Sequence, residues 1–379
     1  ADYTNIAADG SFIGTGKINK YKITNANLKW DIAKANKIYN GDTKVTHLTE
    51  DGTALSKAES NINKLSVILN TGKEEKLKYN LADADYADAN AGSNKDVTYQ
   101  LNLINLKNFD IDSSVNGWDG SKLSLAGKGD IAKRHLSADF AEVNKVYDGT
   151  KDVTGDIKAK LNAGTKLGAD VIAKDGLTID KSKISGEYAD KNAADDKDIN
   201  YSGIAGALTA GNAGVLNNYE ISDRATGKGA ITKRKLYVKA NDVPALSKIY
   251  DGTTTIENNS LANRIEIATK NHDSGLTGND DVTINGSTSH FANAMSGRYS
   301  DKNAGQAKDV YYEVALTGSD AGNYQLLNAD GSELTKENGT SYVLGKGDIQ
   351  KRSLNITFKN PDKYYDGSTY AKVNAVLEP

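Results

Sequence analysis

Hydrophobic and polar residues alternate with a period of two in short runs along much of this chain. Val97, Tyr99, Leu101 and Leu103 alternate with polar or smaller neighbours, and Val310, Tyr312, Val314 and Leu316 repeat the pattern. Leu236, Val238 and Ala240 form a shorter run, as do Leu354, Ile356 and Phe358. Such a period predicts half-buried β-strands. Gly, Asn and Asp punctuate the runs and predict tight turns. Extended helical heptads are absent. One helix is compatible with the pattern, over Asn258–Asn271 (NNSLANRIEIATKN).

The runs belong to a long-period repeat. A Lys-x-Tyr-Asp-Gly block occurs four times, with Tyr39-Asn40-Gly41, Tyr147-Asp148-Gly149, Tyr250-Asp251-Gly252 and Tyr365-Asp366-Gly367 at its centre. Its tyrosines are 108, 103 and 115 residues apart, which is domain spacing. Three further blocks follow in order. They are a Tyr-Ala/Ser-Asp-x-Asn block from Tyr86, Tyr188 and Tyr299; an Asn-aromatic pair at Asn108-Phe109, Asn218-Tyr219 and Asn323-Tyr324; and a Gly-x-Ile-x-Lys-Arg-x-Leu block from Gly129, Gly229 and Gly347. Residues 1–20 then read as the tail of a preceding repeat. Residues 21–133, 134–233 and 234–351 are whole repeats, and 352–379 begin a further one. No Pro/Gly/Ser linker separates them: Lys133-Arg134-His135-Leu136 runs straight through, which predicts a stiff array. The expected fold class is all-β, with tandem β-sandwich domains (Ig-like, alternatively β-grasp-like) in an elongated rod.

Together these blocks resemble the YDG-domain repeats of large secreted bacterial adhesins similar to filamentous haemagglutinin, many of them exported by two-partner secretion. The third repeat matches the pattern most fully, through Lys248, Tyr250, Asp251, Gly252, Asp301, Asn303, Gly305, Asp320, Gly322, Asn323, Tyr324, Ile349, Lys351 and Arg352. Asn40, Phe109 and Ala194 depart from it. The resemblance implies an extracellular, all-β adhesin segment at a bacterial surface or secreted from it. It leaves the receptor open.

Composition narrows the function. Net charge is −3 and Arg occurs six times, which disfavours a nucleic-acid groove. No apolar run is long enough for a membrane span. Cysteine is absent, which suits an exported protein without disulfides. The four histidines, His47, His135, His272 and His290, occupy different places in their repeats and make no hydrolase or zinc pattern. Asp148, Asp251 and Asp366 could be read as catalytic acids, but Asn40 takes that place in the first copy, so a turn is the better reading.

Calcium is the rival chemistry, with Asp83, Asp85, Asp88 and Asp96 as ligands in a stretch rich in hard oxygens. The corresponding third copy is poor in acids and carries lysines, which favours Asx turns. A Lys–Asn isopeptide bond using Lys145 or Lys248 with Asn192 or Asn303 is a further alternative. Tyr219 and Tyr324 suit a tyrosine-corner role, with the ring packed and the hydroxyl on backbone. Trp30 and Trp118 are expected in the core. The function expected is non-enzymatic and without cofactor: a stiff stalk or adhesive surface. Its partner would be a glycan or protein on a host or neighbouring cell, with weak self-association through the unpaired end strands. The alternative is a carbohydrate-binding array attached to a larger extracellular enzyme.

Overall fold

In the first repeat the alternating runs pair into a four-stranded sheet, made by β1 (Ala35–Ile38), β2 (Lys78–Tyr86), β3 (Gly92–Ile104) and β4 (Leu123–Ala132) in the order β1-β4-β3-β2. The structure is a computed structural model that describes residues 17–48, 54–268, 275–359 and 361–378. The outer strand β1 is parallel to β4, and the other pairs are antiparallel. One face of β3 carries Val97, Tyr99 and Leu101, all fully covered, so period-two patterning places the core as expected.

The same sheet recurs twice. In the second repeat, β5 (Val143–Val146), β6 (Ser185–Tyr188), β7 (Ala194–Ser202) and β8 (Arg224–Thr232) take the order β5-β8-β7-β6. In the third, β9 (Leu246–Ile249), β10 (Gly297–Tyr299), β11 (Gly305–Val314) and β12 (Thr340–Gln350) take the order β9-β12-β11-β10, and Thr335–Glu337 adds to β12.

Smaller sheets accompany them. The strand Arg134–Phe140 lies between Ala159–Asn162, antiparallel, and Tyr219–Ile221, parallel. Arg234–Ala240 lies likewise between Ile265–Ala268 and Tyr324–Asn328. In the first repeat Tyr21–Ile23 runs parallel to Phe109–Ile111. The Lys-Arg block therefore supplies β4 to one repeat's large sheet and, after Lys133, the opening strand of the next repeat's small sheet.

The chain divides into two compact units. The first comprises Ala1–Ala141, Ile157–Ser185 and Tyr201–Gly227; the second comprises Glu142–Asp156, Gly186–Asn200 and Lys228–Pro379. The division falls inside the second repeat, whose small sheet belongs to the first unit. Accordingly, one apolar cluster in the first unit runs from Tyr39, Tyr99 and Leu125 to Leu136, Val171 and Tyr219.

The protein is mostly β, with 49% strand and 10% helix. Its longest helix, α1 (Lys166–Lys174), is capped by Thr165, whose hydroxyl accepts from the Gly168 N–H at 2.9 Å. The sequence reading passed over it. The helix expected at Asn258–Asn271 is corrected. Asn258–Ser260 is a single 3₁₀ turn and Ile265–Ala268 is a strand, because its β-branched residues pair with Tyr237–Ala240. Residues 269–271 lie outside the described residues, as do His272 and residues 1–16 of the preceding-repeat tail. Trp30 is also corrected: it is 43% exposed, on an outer strand of a three-stranded sheet too small to cover an indole. Trp118 is half-buried against the core.

Candidate functional site

Each Tyr-Asp-Gly segment is a tight turn, and in the first three copies it does not connect neighbouring strands as a hairpin would. It follows one outer strand of the large sheet and ends in a bridge to the other outer strand, Lys44 to Asp85, Asp152 to Glu187 and Thr255 to Arg298. Gly41, Gly149, Gly252 and Gly367 have φ of 75°, 83°, 84° and 81°, the left-handed region that glycine enters without strain. The Asp side chain caps the turn: Asp148 and Asp251 Oδ1 each accept from the N–H two residues on, at 2.9 Å.

The lysine that opens the block fastens the loop. Lys145 Nζ donates to Asp148 Oδ1 (2.8 Å) and to the carbonyls of Thr150 and Asp152 (both 2.9 Å), and lies over the Tyr188 ring. Lys248 makes the same set with Asp251, Thr253, Thr255 and the Tyr299 ring. Lys363 repeats the loop contacts with Asp366, Ser368 and Tyr370. An ammonium has three protons to donate, and the loop supplies the acceptors. The first copy explains its own departure. Lys37 donates to Asn40 Oδ1 and finds its charged partner in Asp42, at 2.8 Å. Burial pushes the Lys37 ammonium's pKa down, against the opposing pull of Asp42. Sequence reasoning placed this lysine in the block and weighed it as an isopeptide partner, but missed that it fastens the loop.

The second block is a similar loop. Asp88, Asp190 and Asp301 pair with Lys95, Lys197 and Lys308 at 2.6, 2.7 and 2.6 Å, and each carboxylate accepts from the N–H of Asn90, Asn192 or Asn303. The calcium candidates are thus placed beside ammonium groups: Asp83 and Asp85 share Lys44, Asp88 has Lys95 and Asp96 has Lys128. Among the described residues no group of three or more acidic or histidine side chains is placed to hold a metal ion. Nor are the proposed isopeptide partners brought together. Lys145 is held in its own turn, while Asn192 accepts from Asn323. His135, on the strand Arg134–Phe140, lies beside Glu220, and His290, in a bend just before Phe291–Ala292, lies beside Glu266.

What the recurring residues do build is a joint between consecutive repeats. In the first unit, Tyr39 of one repeat and Tyr219 of the next both donate to Asp175 Oδ2, at 2.9 and 2.7 Å, and their rings meet edge to face at 5.4 Å. Asn218 Oδ1 accepts from the Ala91 N–H (2.7 Å) and its amide donates to Asn90 Oδ1 (3.2 Å). Arg134 donates to the Tyr39 carbonyl. In the second unit the same atoms recur one repeat later. Tyr147 and Tyr324 donate to Asp280 at 3.0 and 2.6 Å, with rings 5.5 Å apart. Asn323 takes the Ala193 N–H (2.8 Å) and donates to Asn192, and Arg234 reaches the Tyr147 carbonyl.

The tyrosines and asparagines of both joints are buried. Tyr39, Tyr147, Tyr219 and Tyr324 are at most 4% exposed, as are Asn218 and Asn323. Burial first, and the adjacent carboxylate second, push the Tyr39 and Tyr147 hydroxyls up to about 12. Burial alone would raise the Asp280 carboxyl; hydrogen bonds from Thr277, Tyr324, Tyr147 and Lys191 outweigh it and hold the group below its usual range. The tyrosine-corner expectation is therefore corrected in part: the Tyr219 and Tyr324 hydroxyls donate to carboxylates, and that of Tyr324 also accepts from the Thr277 backbone N–H at 3.1 Å. In the second block, the Tyr86, Tyr188 and Tyr299 hydroxyls each donate to a backbone carbonyl.

Asp175 and Asp280 were not singled out from the sequence. The signal available was an acidic residue two positions before a buried aliphatic, Leu177 or Val282. No helix among the described residues is long and apolar enough to cross a membrane. No curated protein matches the chain. Residues 132–226 and 232–333, just over half of the chain, match the YDG domain, and both stretches begin in the block that passes from one repeat into the next. The chain belongs to the YDG-domain family.

Proposed function

We propose that the chain is a non-enzymatic segment of a bacterial adhesin, secreted or displayed at the cell surface and similar to filamentous haemagglutinin. In this reading the YDG repeats are Ig-like β-sandwich domains that form a stiff stalk and carry an attachment surface toward a glycan or protein of another cell. One observation carries the reading: the same joint is built twice from the same motif residues. The recurring acids, tyrosines and asparagines are engaged in loops and joints, so what recurs is the means of stacking repeats. A continuous chain passing from one repeat's sheet to the next, locked by buried hydrogen bonds, is what a stalk requires.

Solution scattering tests the stalk. The expected profile is a rod on the order of 100 Å or longer, from usual strand lengths and rise; a compact envelope would remove it. The adhesive role is tested by attachment of cells that display the segment, compared with cells carrying a deletion of residues 134–351. The carbohydrate-binding reading draws on the exposed Trp30, since an open indole face is a sugar-stacking surface. A glycan array with the chain and with Trp30→Ala separates it from the stalk reading.

A further inference from the structure

The Tyr39-Asn40-Gly41-Asp42 turn departs from the other copies at two linked places. Asn40 stands where they have Asp148, Asp251 and Asp366, and Asp42 stands where they have Thr150, Thr253 and Ser368. The acid has moved along the turn, and a carboxamide has taken its place beside the lysine. An amine can attack a neutral carboxamide carbon, whereas an ionised carboxylate resists it. The other copies are ionised there. Burial would raise the Asp148 carboxyl, but Lys145 and the Thr150 N–H outweigh it; Lys248 and Lys363 hold Asp251 and Asp366 below the usual range.

In the first copy the reactants of an amide bond are in contact. Lys37 Nζ lies 2.9 Å from Asn40 Oδ1 and 2.8 Å from Asp42 Oδ1, and Asn40 Nδ2 donates to Asp42 Oδ2 at 2.9 Å. One carboxylate therefore touches both the amine and the nitrogen that would leave. The other contacts of Nζ are the carbonyls of Asp42 (2.7 Å) and Lys44 (2.9 Å). Only 2% of the Lys37 side chain is exposed, Asn40 is buried, and the centre of the Tyr86 ring is 5.4 Å from Nζ. Such burial favours the uncharged, nucleophilic amine. The Asp42 carboxylate is half-exposed, which leaves ammonia a way out to solvent.

We propose that Lys37 and Asn40 join in an intramolecular isopeptide bond, with Asp42 carrying the protons. The Lys37 ammonium passes one proton to Asp42 Oδ1. Its two remaining N–H bonds stay on the Asp42 and Lys44 carbonyls, which leaves the lone pair on the side of the Asn40 carboxamide. The Nζ–Cγ bond forms, and the Asp42 N–H, 3.4 Å from Asn40 Oδ1, faces the oxygen on which charge builds. Asp42 gives its proton to Asn40 Nδ2, the Cγ–Nδ2 bond breaks and ammonia leaves. Nζ then loses a second proton, which departs with the ammonia as ammonium. An ammonium and a carboxamide become an amide and an ammonium ion, with no oxidant or reductant.

The bond makes permanent the clasp that the other copies hold by an ion pair, at the turn that carries Tyr39 into its contact with Tyr219. Lys145 and Lys248, the lysines that the sequence suggested for this chemistry, meet no carboxamide in their turns: Asp148 and Asp251 are the acidic side chains they reach, and Thr150 and Thr253 stand in the place of Asp42.

Intact mass spectrometry of the full chain, followed by tryptic mapping, reads the bond. The expected chain is lighter than its sequence by one ammonia, about 17 Da. Trypsin does not cleave after an acylated lysine, so Ala35–Lys44 should appear as one peptide carrying that loss, in place of Ala35–Lys37 and Ile38–Lys44. Lys37→Arg and Asn40→Asp should each keep full sequence mass, and Asn40→Asp restores the Tyr-Asp-Gly turn that the other copies fold with. Asp42→Asn should be isolated largely without the loss, since a positioned acid–base group is worth on the order of a hundredfold in rate. A parent chain at full sequence mass overturns the proposal. So does a loss of ammonia that persists in Lys37→Arg, which marks a cyclic imide at Asn40-Gly41 instead. Complete loss in Asp42→Asn overturns the role given to Asp42.

Discussion

The two joints share a tyrosine–carboxylate core and differ in the cations placed around it. Around Asp175 the hydrogen-bond partners are Tyr39 and Tyr219, and the nearby lysine, Lys174, donates to the Gly41 carbonyl. Around Asp280 the two tyrosines are joined by Thr277 and by Lys191, which also pairs with Asp320 at 2.9 Å. The position of Lys191 is Ala89 in the preceding repeat. The tyrosine pair, the asparagine clasp and the arginine on the tyrosine carbonyl are constant. The ion pair is an addition. Register is therefore set by directional bonds between uncharged groups and one carboxylate, while charge adjusts strength from joint to joint.

The largest test of that contrast is to remove the carboxylate. Asp280→Ala removes the acceptor of the Tyr147 and Tyr324 hydroxyls and one of the two carboxylates paired with Lys191, and should destabilise the second unit by about 3 kcal/mol. Asp175→Ala strands two hydroxyls and should cost the first unit about 2 kcal/mol. Calorimetry of the two variants reads the difference; equal losses would show that Lys191 adds nothing.

Alkali should act on both joints alike. The Tyr39 and Tyr147 pKa values lie near 12 in the folded state, above the unfolded value of about 10. The stability they contribute is complete below pH 10 and is lost as pH rises toward 12, because only the unfolded chain releases those protons in that window. Denaturant melts across this range should show a falling midpoint, and Tyr39→Phe with Tyr147→Phe should flatten the fall.

Smaller effects follow from single groups. Tyr219→Phe removes one bond within a repeat and should cost about 1 kcal/mol by thermal melting, whereas Tyr324→Phe also removes the contacts with Thr277 and should cost about 2 kcal/mol; both leave the cross-joint bonds in place. Phe109 is the natural precedent. Gly252→Ala places a side chain at φ 84° in open space and should cost about 1 kcal/mol from backbone strain alone. The smallest effect is expected for Asp251→Asn. Lys248 holds the Asp251 carboxyl down to about 2, but that carboxylate is half-exposed and Lys248 keeps the Thr253 and Thr255 carbonyls. A melting curve close to the parent's is expected.

The repeats, the strand pattern and the turn glycines were all legible in the sequence. Each is local: a strand face is set by residues two apart, and a left-handed turn by one glycine. The lysine loops were nearly legible, since Lys145 meets its acceptors within seven residues. The joints were not. Ala91 and Asn218 are 127 residues apart, and nothing in either stretch names the other. Asp175 follows a helix and Asp280 lies in an irregular segment, so their equivalence has no common local pattern. Only the pairing of each opening strand with the following Asn-aromatic strand brings them to the same tyrosine. The unit boundary inside the second repeat has the same origin. Sequence periodicity marks where the motif restarts, whereas compactness follows where apolar surface and buried hydrogen bonds are shared, and here they are shared across the repeat boundary.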